Sequence, residues 1–94
     1  MAKYRILYWQ DIPSVVEARD GNGTRKVQLS QRFQALIDSV AMHKGLAGTD
    51  EYLEAWRRGA RAEREGSAEA VAGAVAAELE VQFPAIKAAA LDKP

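Results

Sequence analysis

Apolar side chains follow two rhythms along this chain, one of period two and one of period near 3.6. In residues 3 to 9, KYRILYW, an extended backbone puts Tyr4, Ile6 and Tyr8 on one face and Arg5, Leu7 and Trp9 on the other. The β-branched and aromatic types suit a strand. Apolar residues on both faces predict a central one. Ile12-Pro13 ends the run near Gln10, because proline lacks a backbone donor and holds its predecessor extended. From Ser14 to Arg19, Val16 and Ala18 alternate with Val15, Glu17 and Arg19, the pattern of a half-buried, more peripheral antiparallel strand. Asp20-Gly21-Asn22-Gly23 predicts a tight turn, since glycine and asparagine tolerate positive φ. A phosphate-cradling glycine loop would open directly into a helix, whereas Thr24 to Leu29 intervenes here.

The helical rhythm begins after Ser30, a capping residue, with Phe33, Leu36, Ile37, Val40 and Ala41 on one stripe and Gly45 as the stop. Thr49 caps a shorter helix that carries Asp50 and Glu51 in its first turn, turns Tyr52, Leu53 and Trp56 inward and ends at Gly59. Residues 60 to 65, ARAERE, have helix-favouring side chains. The flanking Gly59 and Gly66, and the marginal stability of a two-stranded sheet, favour a third strand that shows Ala60 and Ala62 to the helices. Ser67 caps a last long helix with Val71, Val75, Leu79 and Phe83 on one stripe and Ala72 and Ala76 beside it, which Pro84 breaks or kinks. Ile86 and Leu91 are expected in a short C-terminal turn packed back on the body, with residues 92 to 94 frayed. The order β-β-α-α-β-α predicts an α+β fold: a small antiparallel sheet of two or three strands with three helices on one face. One domain spans residues 1 to 94, with its core in about 3 to 83.

Composition narrows the function classes. Ninety-four residues, 48% hydrophobic and 28% charged, match one ordinary soluble domain. Such a chain buries a little over roughly 60% of its unfolded surface, so a ligand site is expected to be shallow or completed by another chain. Thirteen basic side chains balance thirteen acidic ones, which removes any net field toward nucleic acid or anionic lipid but leaves room for a local basic patch. No nucleic-acid motif is present, and the last helix carries Glu69, Glu78 and Glu80 where a membrane-surface helix would carry lysines, so neither nucleic acid nor membrane is expected as a partner. The absence of cysteine excludes disulfides, thiolate metal sites and a cysteine nucleophile. The run from Tyr4 to Trp9 contains Arg5 and is too short for a signal-peptide core, and nothing approaches the roughly 18 apolar residues of a membrane span. A cytoplasmic location is the expectation.

Few residues offer chemistry. His43 is the single histidine and sits at a helix C-terminus, a favourable place for its charge, so neither a metal nor a cofactor is expected. Asp50, Glu51 and Glu54, like Glu63, Glu65 and Glu69, look like solvated charge rather than paired acid and base. Asp11 follows a buried strand directly and has a fixed position. Arginine makes the best binding case: Arg57, Arg58, Arg61 and Arg64 follow Trp56, and Arg25, Lys26 and Arg32 form a second group. Guanidinium groups bind phosphate or carboxylate bidentately and stack on aromatic faces; a charged strand edge that resists aggregation is the competing account.

The pieces YWQDIP, Arg32-Phe33 with Ile37-Asp38, Ala41-Met42 and GLAGTDEYLEAWRRG, over residues 4 to 83, resemble the bacterial family known as the virulence factor domain. Leu36 stands where that family's middle piece has alanine, and Gln10 where arginine is more usual, which weakens an anion site at that loop. The resemblance implies no established activity. Members that stand alone accompany genes for folate-linked and corrinoid-linked methyl transfer, which implies an accessory subunit of such an enzyme.

Two function classes follow. The first is a non-catalytic module that binds a protein partner, such as a one-carbon methyl-transfer enzyme, through Trp9, Asp11, Arg32, Trp56 and Arg57. The second is a small enzyme or binder of an anionic ligand, with Asp11 as acid or base and Arg32 or Arg57 as the clamp. Self-association through the sheet edge or the alanine-rich helix is a further expectation.

Overall fold

Strand β1 (Ala2–Trp9) occupies the centre of an antiparallel sheet, as apolar side chains on both its faces require. The computed structural model describes residues 1–92. On one side β1 pairs with β2 (Ile12–Asp20), which in turn pairs with β3 (Gly23–Gln28) through the Asp20–Gly23 turn. On the other side β1 pairs with two three-residue strands placed end to end, β4 (Trp56–Arg58) and β5 (Ala62–Arg64). The described residues therefore form an α+β fold of five strands and four helices, where the sequence pattern gives two or three strands and three helices. Strand β2 is interior rather than peripheral, because residues 23 to 28 add an outer strand beyond it.

Register accounts for which residues are buried. Val16 lies opposite Ile6 and Ala18 opposite Tyr4, on the face covered by helices, and Val16 and Ala18 are buried. Near the hairpin the pairing jumps from Leu7↔Val15 to Tyr8↔Pro13, leaving Ser14 as the extra residue of a β-bulge. Pro13 is tolerated there because a bulge leaves a position that donates nothing to the ladder. The Ser14 carbonyl accepts instead from Leu29 N–H at 2.9 Å.

Helix α1 (Gln31–His43) buries the five residues of its predicted stripe, Phe33, Leu36, Ile37, Val40 and Ala41. Helix α2 (Asp50–Glu54) is capped by Thr49 as expected, but it stops at Glu54, and Leu53 points outward with 66% of its surface exposed. Helix α3 (Ala68–Val81) lies against β1, β2 and β3 through Val71, Ala72, Val75, Ala76 and Leu79. Small residues at 72 and 76 allow the close approach. The helical run breaks next to Pro84, as expected, but it resumes at once: α4 (Phe83–Asp92) holds Pro84 in its first turn, where its missing N–H would have no intrahelical partner. Ile86 packs toward the core while Leu91 remains half exposed. The Phe83 ring meets Phe33 edge-on, centroids 4.9 Å apart.

Two carboxylates fasten the helices to the sheet. Asp20 accepts from the N–H groups of Ala68 and Asn22, each at 2.7 Å, which holds its pKa below the ordinary value and ties the hairpin to the start of α3 beside the Ser67 cap. Arg64 of β5 pairs with Glu78 of α3, raising the one pKa and lowering the other. On the opposite face of the sheet Lys3 and Arg19 are exposed, and Arg5, Leu7, Val15 and Glu17 are partly buried. No helix among the described residues is long and apolar enough to cross a membrane.

Candidate functional site

The β1–β2 hairpin turns through Gln10 and Asp11 alone, since Trp9 is paired with Ile12. So tight a turn requires left-handed backbone, and Gln10 adopts φ 51°. A glutamine there is uncommon, and neighbouring bonds hold it. Its N–H donates to the Ala55 carbonyl at 2.9 Å, its carbonyl accepts from Arg57 Nε at 3.1 Å, and its Oε1 accepts from Lys44 Nζ at 3.1 Å.

Arg57 completes the corner. Tyr8 and Arg57 face each other across the β1–β4 ladder, and the guanidinium carbon lies 4.7 Å from the centre of the Tyr8 ring. Arg57 Nη2 donates to Asp11 Oδ1 at 3.3 Å, with the two side chains 52% and 66% exposed. Gly59 lets the ring lie where it does: a Cβ at that position would stand 2.9 Å from Tyr8 Cε2. Beside this corner runs an open groove of about 450 Å³ lined by Tyr4, Ile6, Tyr8, Asp11, Arg57 and Ala62. Ala60 and Ala62 are exposed at its rim rather than turned into the core.

The five residues singled out in the sequence separate into three environments. Asp11 and Arg57 meet at the corner. Trp9 is fully buried, its indole N–H donating to the Tyr52 carbonyl at 2.9 Å and its ring 5.5 Å from Tyr52, so it serves the core. Trp56, opposite Trp9 in the ladder, is half-buried and meets Tyr52 edge-on.

Arg32 lies elsewhere, at the junction of α1 with α3 and α4. It donates to Glu80 Oε1 at 3.0 Å and stands 4.3 Å from the centre of the Phe83 ring. Glu80 also accepts from the N–H and the hydroxyl of Ser30, at 2.7 and 2.8 Å. Ser30 thus starts α1 without its side chain accepting from the helix. Burial opposes the charge on Glu80, but these donors outweigh it and hold its pKa below the ordinary value. None of these Arg32 partners lines the groove, so of the two arginines considered for an anion clamp Arg57 lies beside Asp11 and Arg32 does not.

A family model described as Virulence factor matches residues 7–91. The chain belongs to that family. No curated protein and no solved structure matches it.

Gln10, Tyr8 and Gly59 are not among the candidate site residues that the sequence offers. Tyr8 has the pattern of strand core, and only its pairing with Arg57 makes it a stacking surface. A glycine immediately after a Trp-Arg-Arg strand is the local sign of close backbone approach, and it points to Gly59. Among the described residues, no group of three or more His, Asp or Glu side chains is arranged to hold a metal.

Proposed function

We propose that this chain is an accessory binding module that engages a protein partner through the Tyr8–Arg57–Asp11 corner and its groove. The observation behind this reading is the state of Arg57: stacked on Tyr8, fixed by the Gln10 carbonyl, yet half exposed beside an open concavity. An arginine held in place gives up little conformational freedom on binding, and arginine and tyrosine frequently dominate interface energetics. The groove is open rather than enclosed, which suits a protein side chain or loop better than a reaction that requires water to be excluded. A one-carbon methyl-transfer enzyme is the partner class proposed, on the strength of the family association.

Capture of tagged protein from its native host, followed by mass spectrometry, tests both parts. The expected result is recovery of one methyl-transfer enzyme by the wild type, its loss with Arg57→Glu and its retention with Arg32→Lys. Equal recovery by wild type and Arg57→Glu would remove the corner from the interface. Recovery of no such enzyme under gentle conditions would remove the partner class.

A further inference from the structure

The opposite face of the sheet carries its own charge pattern. Across neighbouring strands Lys3 lies directly opposite Arg19 on one side and Glu63 on the other, and Arg19 lies opposite Thr24. Like charges placed directly opposite destabilise a sheet. One row along, Arg5 faces Glu17, whose carboxylate is shared with Lys26 and Arg58 at 3.3 to 3.9 Å. Lys3, Arg19 and Arg61 form no ion pair among the described residues, in a chain whose charges balance overall. Together Lys3, Arg5, Arg19 and Arg61, with Glu17 and the Thr24 side chain, line a cup of about 100 Å³.

We propose that this cup binds the phosphoryl group of a phosphate monoester. Four cations against one carboxylate leave an excess that one carboxylate ligand would only partly offset, whereas a phosphate dianion offsets more of it. The volume accommodates one tetrahedral oxyanion and no sugar or base. The guanidinium donors and the Thr24 hydroxyl suit phosphoryl oxygens, and the next row of the face, Leu7 opposite Val15, is a half-buried apolar shelf for the body of the ester. The repulsion between Lys3 and Arg19 is then relieved by the ligand. The site is independent of the partner surface proposed above, sharing with its groove only residues of β1.

Amide chemical shifts of the whole protein, titrated with inorganic phosphate, phenyl phosphate and oligothymidylate at ionic strength matched by chloride, test the proposal. Saturable shifts at Lys3, Arg19, Thr24 and Arg61 are expected with phosphate, and at Leu7 and Val15 in addition with phenyl phosphate. Arg19→Glu is expected to weaken binding about tenfold or more and, by turning repulsion from Lys3 into attraction, to raise the thermal midpoint of the ligand-free protein. Arg61→Ala is expected to weaken binding several-fold with its midpoint unchanged. The proposal is overturned by phosphate acting no differently from chloride, by Arg19→Glu binding like wild type, or by a lowered midpoint in that variant. Oligothymidylate binding that strengthens with length while the monoesters fail would overturn it in favour of a nucleic-acid backbone.

Discussion

Arg32 and Arg57 each stack on an aromatic ring, at 4.3 and 4.7 Å, and each meet a carboxylate, at 3.0 and 3.3 Å. Their own exposure is nearly the same. The carboxylates differ: Glu80 collects two donors from Ser30 besides Arg32 and joins the start of α1 to the end of α3, whereas Asp11 is largely exposed on a two-residue turn. An exposed ion pair contributes little by itself, on the order of 0 to 1 kcal/mol. The additional donors and the two helices they connect make the first pair part of the framework. The second leaves its arginine positioned on a surface.

Removing Phe33, the buried ring that meets Phe83 edge-on beneath the first pair, should have the largest effect. Phe33→Ala should cost about 3 to 5 kcal/mol in urea unfolding, as expected for a fully buried aromatic residue. A smaller loss would mean that the α1–α4 junction collapses around the cavity.

Next comes the network itself. Arg32→Ala should cost about 1 to 2 kcal/mol, because Glu80 loses its charged donor but keeps Ser30. The same carboxylate gives the pair an acid signature. Its folded pKa is depressed, so its contribution is fully present above the ordinary carboxylate value and disappears as pH falls through the folded value. Thermal midpoints measured from pH 7 down to pH 3 should therefore fall less steeply in Glu80→Gln than in wild type. Parallel curves would show that the depression of Glu80 does not contribute to acid sensitivity.

Gly59→Ala should cost about 1 kcal/mol, since the added methyl group displaces the Tyr8 ring from its place beneath Arg57. Near-ultraviolet circular dichroism should report the ring movement. An unchanged aromatic signal would mean that the ring does not depend on that glycine.

The smallest effect on folding is expected from Arg57→Ala, below about 1 kcal/mol in the same urea measurement, since its ion pair, its stacking on Tyr8 and its bond to the Gln10 carbonyl are all at the surface. Comparing it with Arg32→Ala breaks or sharpens the contrast directly. Equal costs at the two arginines would make the Asp11 corner as structural as the Glu80 junction.

The parts of the fold that were legible in the sequence are those whose apolar pattern is answered by a buried face. β1, β2, α1, α3 and the Asp20–Gly23 turn are of this kind. β3 was missed because it is an outer strand: among Thr24, Arg25, Lys26, Val27 and Gln28 only Val27 is shielded, so no alternation marks it. The end of α2 was misplaced because residues 56 to 58 extend to pair with β1, about fifty residues earlier in the chain, and no local propensity encodes that pairing. Pro84 marks the break in the last helical run but not the helix that resumes at Phe83, because a proline that ends one helix and one that starts the next differ only in the positions of their neighbours.

The site divided along the same line. That Asp11 follows a strand and that arginines follow Trp56 are local facts, and the β1–β4 ladder brought Asp11 and Arg57 together. Trp9 and Trp56 are equivalent as aromatic anchors in the sequence, but both meet Tyr52 and only Trp9 is fully buried, Trp56 being half-buried. Arg32 looked like a surface cation because its partner Glu80 lies 48 residues away.

The division of one flank of the sheet into β4 and β5 has a consequence for assembly. A long uninterrupted outer strand is a template on which further chains can add. Here that flank offers two three-residue segments, separated where Gly59 bends in to donate to the Ile6 carbonyl at 2.8 Å. A strand arriving from another molecule would lose register after three residues. The opposite flank, β3, is continuous for six residues but carries Arg25 and Lys26 side by side, which repel a second copy of the same strand laid alongside. Both margins therefore resist fibril-like growth, one through its geometry and the other through its charge.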